Sequence, residues 1–137
     1  MKKIFKFLNN KKEEVIVEIT LSKISGIHWE TLRTEEFYSF TASAKTENSF
    51  GQILDNLKIK DTDFIKIRDI WKEYHLNNEM PATKNQTKDL EKLGYKLEYG
   101  ETVEYMPEYQ GYKYGSRWLV KPIPKKVVRE IKTLIES

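Results

Sequence analysis

The hydrophobic period of this chain changes part-way along it, and that change limits the fold more than any other feature. Val15, Val17, Ile19 and Leu21 alternate with other residues, the pattern of a strand buried on one face. Phe64, Ile67, Trp71 and Tyr74, with Ile70 beside them, recur at helical spacing. A chain with both periods must pack helices on a sheet.

The intervening residues divide it further. Residues 4–8 read as a first strand, and Asn9, Asn10, Lys11 and Lys12 as the polar turn of a hairpin. Ser25 and Gly26 break the second strand, and Tyr38, Phe40, Ala42 and Ala44 suggest a third. Ser49 and Gln52 have capping-box spacing, which predicts a short helix with Phe50, Ile53, Leu54 and Leu57 on one face. Asp61 or Asp63 caps the Trp71 helix, which ends near Asn77 and Asn78, with Pro81 beyond. Thr83 and Gln86 form another capping-box pair, and Gly94 ends the helix that carries Leu90 and Leu93. Tyr95, Leu97 and Tyr99 alternate as a strand, residues 101–110 read as an acidic loop, and residues 112–120 as a strand. Pro124 is expected as the first residue of a last helix that buries Val127, Val128, Ile131, Leu134 and Ile135. The expectation is an α+β fold, a mostly antiparallel sheet with three to four helices packed on it, in a single domain over residues 1–137.

Composition excludes several chemistries. The chain has no cysteine, so disulfides, thiolate metal sites and Cys nucleophiles are out. The apolar run after Met1 is short and broken by Lys6, unlike a signal peptide. No stretch approaches the roughly 20 apolar residues of a membrane helix. The expected location is cytoplasmic, with no membrane partner. The 24 cations nearly balance 21 anions, which argues against a chain that imitates DNA over its whole surface and does not by itself indicate nucleic-acid binding.

Catalytic constellations are scarce. No phosphate-cradling Gly loop or nucleophile elbow is present, and spacing suggests no base for Ser116. The carboxylates Glu13, Glu14, Glu35, Glu36, Glu98, Glu101, Glu104 and Glu108 read as solvated surface. Of the two histidines, His28 sits in a connection. His75 reads as a helix-end residue favoured by the C-terminal dipole, with a functional role as the other possibility. Glu79 stands at helical spacing from His75 and would be its carboxylate partner in a small enzyme, if the helix ran through Asn77 and Asn78. No metal or cofactor is expected.

The remaining candidate is the run Gly111-Tyr-Lys-Tyr-Gly-Ser-Arg-Trp-Leu-Val-Lys-Pro-Ile-Pro124. Strand parity puts Tyr112, Tyr114, Ser116 and Trp118 on one face and Lys113, Arg117 and Leu119 on the other. The aromatic face is either core or a stacking platform for single-stranded nucleic acid. The acids Glu101, Glu104 and Glu108 would repel phosphate.

Trp71-Lys-Glu-Tyr-His-Leu-Asn77, followed by the Gly111–Pro124 run, resembles a family of small phage and mobile-element proteins. That family carries W-x-x-[WY]-H-L-N and G-Y-[KR]-Y-G-[ST]-x-W-L-x-x-P-[IL]-P blocks, and Gly51-Gln-Ile-Leu-Asp55 matches its upstream G-Q-x-x-D element. The likeness covers about residues 50–135. Where family members read H-L-N-D-M, this chain has His75-Leu-Asn-Asn-Glu-Met80, without that Asp. The resemblance implies an accessory role in a mobile element and no reaction. The leading expectation is a non-enzymatic protein that occupies a host or mobile-element protein complex, as an anti-CRISPR-like inhibitor of a nucleic-acid-directed defence complex does. Trp29, Tyr105, Tyr109 and Arg117 are its expected anchors. The alternative is a nucleic-acid-binding module using Lys113, Arg117, Lys121, Lys125, Lys126 and Arg129.

Overall fold

The computed structural model describes residues 1–47, 49–75 and 79–137, with Ser49 and Phe50 described by their backbone alone. The chain is α+β, its strands paired mostly antiparallel, with three α-helices among the described residues. Two compact units form. The first comprises Met1–Lys23, Tyr38–His75 and Ile123–Ser137, the second Ile24–Phe37 and Leu76–Pro122.

In the first unit, β1 (Lys2–Leu8) pairs antiparallel with the start of β2 (Glu14–His28). The turn between them is made by Asn9, whose Oδ1 accepts the Lys11 and Glu13 amides, and by Lys12 in the left-handed region at φ 61°. β3 (Thr34–Thr46) follows, then β4 (Ser49–Gln52), antiparallel to it with an irregularity between Ala44 and Lys45. Val15, Val17, Ile19 and Leu21 are buried, and alternate residues of β2 are not. Phe40 and Ala44 join them, and helix α1 (Thr62–Tyr74) contributes Phe64, Ile67 and Ile70. Helix α3 (Lys125–Glu136) adds Val128, Ile131 and Leu134 to the same core. Each Val, Leu, Ile or Phe among them contributes roughly 1.5–3 kcal/mol on leaving water.

Three expectations fail in this unit. Residues 49–52 are a strand, because Gly51 at φ +73° cannot continue a right-handed helix. The apolar residues behind it make only a 3-10 turn, Leu54–Asn56. The capping role of the Ser49 side chain lies outside the described residues. Helix α1 ends at Tyr74 with His75 as its C-cap, short of the expected end near Asn77 and Asn78, and Glu79 lies in a strand, so His75 and Glu79 do not share a helix face. Pro124 has ψ 143°, so it precedes the last helix and Lys125 opens it. Asp61 does cap α1, its carboxylate accepting the Asp63 and Phe64 amides.

In the second unit, β2 runs through Ser25 and Gly26 to His28, so these residues do not end it. Gly26 is required there for another reason: a Cβ would lie 2.5 Å from Val120 Cγ2. β8 (Leu119–Val120) pairs parallel with Ile27 and His28, and antiparallel with β5 (Glu79–Met80). Helix α2 (Lys84–Lys92) starts at a complete Thr83/Gln86 capping box. It ends with Tyr95 N–H donating to Leu90 C=O and Gly94 N–H to Glu91 C=O, with Gly94 at φ +93°. This is a Schellman motif.

The segment after α2 departs most from expectation. Residues 95–98 form no strand. The expected loop contains β6 (Val103–Met106) and a 3-10 turn, Pro107–Tyr109, which lead into β7 (Gly111–Tyr114). The expected strand over 112–120 is two strands, β7 and β8, separated by a turn at Gly115 with φ +60°. Ile27, Leu32, Ala82, Leu90, Tyr114 and Leu119 form this unit's core.

Candidate binding surface

The β6–β7 hairpin has two chemically different faces. Val103 pairs with Tyr114 and Tyr105 with Tyr112, so these four share one face. Tyr114 is buried there, and its hydroxyl donates to Tyr95 C=O at 2.9 Å. Tyr112 N–H donates to Ala82 C=O, which ties the hairpin to the chain ahead of α2. Tyr105, 53% exposed, lies at the outer end with its ring 5.1 Å from that of Tyr112. Glu104 and Lys113 are opposite each other on the second face. Lys113 Nζ sits 5.2 Å over the Trp118 ring, and the Tyr109 ring meets Trp118 edge-on at 5.9 Å. Cation and rings hold one another in place, each contact adding about 0.5–1 kcal/mol. Tyr109 is 40% exposed.

The turn at Gly115 overturns the assignment of Tyr112, Tyr114, Ser116 and Trp118 to one face. Tyr114 is core, Tyr112 and Trp118 are half-buried, and Ser116 is exposed. Parity carries across a strand only while the ladder continues.

Glu101 organises the neighbouring turn. Its carboxylate accepts the Glu98 amide at 2.9 Å and the Ser116 hydroxyl at 2.7 Å, and the Ser116 amide at 3.3 Å. The Arg117 guanidinium stands 3.9 Å away. These bonds, the Glu98 amide first, hold its carboxyl below the usual carboxylate range. Glu101 N–H also donates to Glu98 C=O at 3.0 Å, closing a turn over Tyr99 and Gly100, the latter at φ +84°. Tyr99 is therefore presented at the tip, fully exposed at 107% of its reference area.

Arg117 is the frame of this turn. Its guanidinium donates to Lys96 C=O at 2.9 Å and lies between the Tyr95 and Tyr114 rings at 5.8 and 5.9 Å. Trp29 packs against the second unit's core, its carbonyl accepting from Gln86 Nε2 and its ring lying 5.6 Å below Lys121 Nζ. Lys125 and Arg129 belong to helix α3 of the first unit. In the second unit, Ser25, Gly26, Ile27, Glu79, Arg117 and Trp118 line an open pocket of about 310 Å³.

The histidines serve local structure. His75 caps α1, its ring stacked on Trp71 at 4.0 Å and 10° and its Nδ1 bonded to Trp71 C=O. Because Nδ1 meets a carbonyl, it carries the proton. His28 Nδ1 accepts the Glu30 and Thr31 amides at 3.0 and 3.4 Å. Among the described residues, no group of three His, Asp or Glu side chains is placed to hold a metal.

These residues can bind by insertion and stacking of exposed aromatics on a fixed frame. Tyr99 escaped the sequence reading because its alternation with Tyr95 and Leu97 looked like a strand. Glu98-Tyr-Gly-Glu101, with Gly at the third turn position, was the available signal. Comparison with protein-family models, with curated proteins and with solved structures gives no match.

Proposed function

We propose that this chain is a non-enzymatic binding protein that acts by occupying another protein. The observation that supports this reading is the set of exposed aromatics, Tyr99, Tyr105 and Tyr109, carried by hydrogen-bonded turns and a short hairpin. Exposed tyrosines are efficient anchors, because each brings a large amphipathic contact area with only two side-chain torsions to fix. Following the resemblance, the setting is a phage or mobile element. The partner is a host or element protein complex in the host cytoplasm, with a nucleic-acid-directed defence complex as the specific candidate. A tagged chain incubated with host lysate should repeatedly retain one protein, and Tyr99→Ala with Tyr109→Ala should lose it while keeping the fold. Retention unchanged in the double variant would refute this surface, and no retained protein would refute the reading.

The second reading is nucleic-acid binding. It rests on Lys66, Lys126 and Arg129, which line an open groove of about 530 Å³ in the first unit. Asp63 and Glu130 line the same groove and oppose phosphate. Gel shifts with single- and double-stranded DNA and RNA decide it: no shift at low salt removes it, since counterion release favours binding there.

A further inference from the structure

The outer edge of β1 is unlike the rest of the first unit's surface. Met1 and Leu21 exchange both backbone bonds, Met1 N to Leu21 O at 2.9 Å and Leu21 N to Met1 O at 2.8 Å. Hydrogen-bonded and non-hydrogen-bonded pairs alternate along an antiparallel ladder. With the observed register, Lys3, Phe5 and Phe7 turn their N–H and C=O groups to β2. Lys2, Ile4, Lys6 and Leu8 turn theirs away from it, and among the described residues β2 is the strand that pairs with β1.

The side chains follow the same alternation. Phe7 is core and Phe5 packs against it. Lys2, Ile4, Lys6 and Leu8 are all exposed, Ile4 at 56% and Leu8 at 64%. Ile16, 37% exposed, lies diagonally between them on β2. An edge guarded only against aggregation carries charges in place of apolar side chains. This one alternates lysine with exposed aliphatic residues.

The strand already bound to β1 shows which chemistry its open face accepts. Ile4 stands opposite Glu18, Lys6 opposite Ile16 and Leu8 opposite Glu14, and Lys2 Nζ meets Glu18 at 3.4 Å. Carboxylates and aliphatic residues thus alternate beside lysines and aliphatic residues. A second copy of β1 would bring no such complement, because residues 1–12 include Lys2, Lys3, Lys6, Lys11 and Lys12 and no acid.

We infer that the outer edge of β1 is a docking edge for an extended segment of a partner protein in which acidic and aliphatic residues alternate, and which adds as a further strand. Main-chain bonds from Lys2, Ile4, Lys6 and Leu8 give the affinity, and the open face selects the sequence. This surface belongs to the first unit and does not depend on the tyrosines of the second.

The test uses the full chain and a short synthetic peptide that alternates Thr with Glu and Val in turn. A matched peptide with Lys for Glu is the control. Amide exchange is followed by NMR. With the acidic peptide at ten times its dissociation constant, the Ile4, Lys6 and Leu8 amides should exchange about tenfold more slowly, and the control should have no effect. Lys6→Pro removes an outward N–H and no bond to β2, so it should keep the fold and abolish the protection. If Lys6→Pro fails to fold, Lys6→Glu takes its place and should weaken the acidic peptide and admit the lysine one. Unchanged exchange, equal response to both peptides, or protection that survives these variants overturns the inference. Protection that rises with protein concentration in the absence of peptide overturns it in favour of a second copy.

Discussion

Glu101 ties the Tyr99 turn to the Ser116 turn, so the fold should report its ionisation. A carboxyl held below its ordinary value of 4.5 stabilises the folded chain above that value, and the gain is lost as pH falls through the lowered one. Glu101→Gln should therefore destabilise the chain at neutral pH, and its difference from the parent should close in acid. Urea unfolding at the two pH values measures this, and a gap that persists in acid would contradict it. Gly115 gives a second check. Its φ of +60° disfavours any side chain, and a Cβ would lie 2.8 Å from the Glu101 carboxylate. Gly115→Ala should cost about 1–2 kcal/mol from backbone conformation alone. Neither role is legible in the sequence, where Glu101 reads as a solvated acid and Gly115 lies inside the expected strand over residues 112–120. Their meaning comes from residues 98 and 116, brought together by the hairpin between them.

At the scale of elements, local signals are legible in part: the capping-box spacing at Ser49 and Gln52 lies in a strand, whereas two other caps form as expected. Asp61 and the Thr83/Gln86 pair are recognisable because capping bonds span only a few residues. Thr83→Ala should cost about 1 kcal/mol by chemical denaturation. Pairing partners lie far away in sequence and leave no local signal. Tyr95, Leu97 and Tyr99 alternate but have no ladder, whereas the acidic stretch after them pairs because β7 lies beside it. Alternation describes a face, and a strand also needs a neighbour. Gly26 shows the same limit. It reads as a break in the sequence, yet it sits inside β2, where Val120 of β8 comes too close for a side chain. Gly26→Ala should destabilise by about 1–3 kcal/mol through overpacking, with a smaller effect if Val120→Ala is made with it.

For the molecule as a whole, the fold class follows from the change of period, because a one-faced strand and a one-faced helix each need the other to cover them. The candidate surface does not follow: Gly100 signals the Tyr99 turn, but the tie of that turn to Ser116 through Glu101 exists only in the assembled second unit. Given a partner, Tyr99→Ala should weaken binding by about 2 kcal/mol or more while leaving thermal stability unchanged. An unaltered affinity by calorimetry would remove Tyr99 as an anchor. The division of the chain between its units has a bearing on synthesis. The first unit's core includes Val128, Ile131 and Leu134 of α3, whereas the second unit ends at Pro122. A ribosome therefore delivers every residue of the second unit before the last helix of the first. Until then, α1 can cover part of that core through Phe64, Ile67 and Ile70, but the part that α3 fills stays open, and apolar surface left open during synthesis favours misassociation.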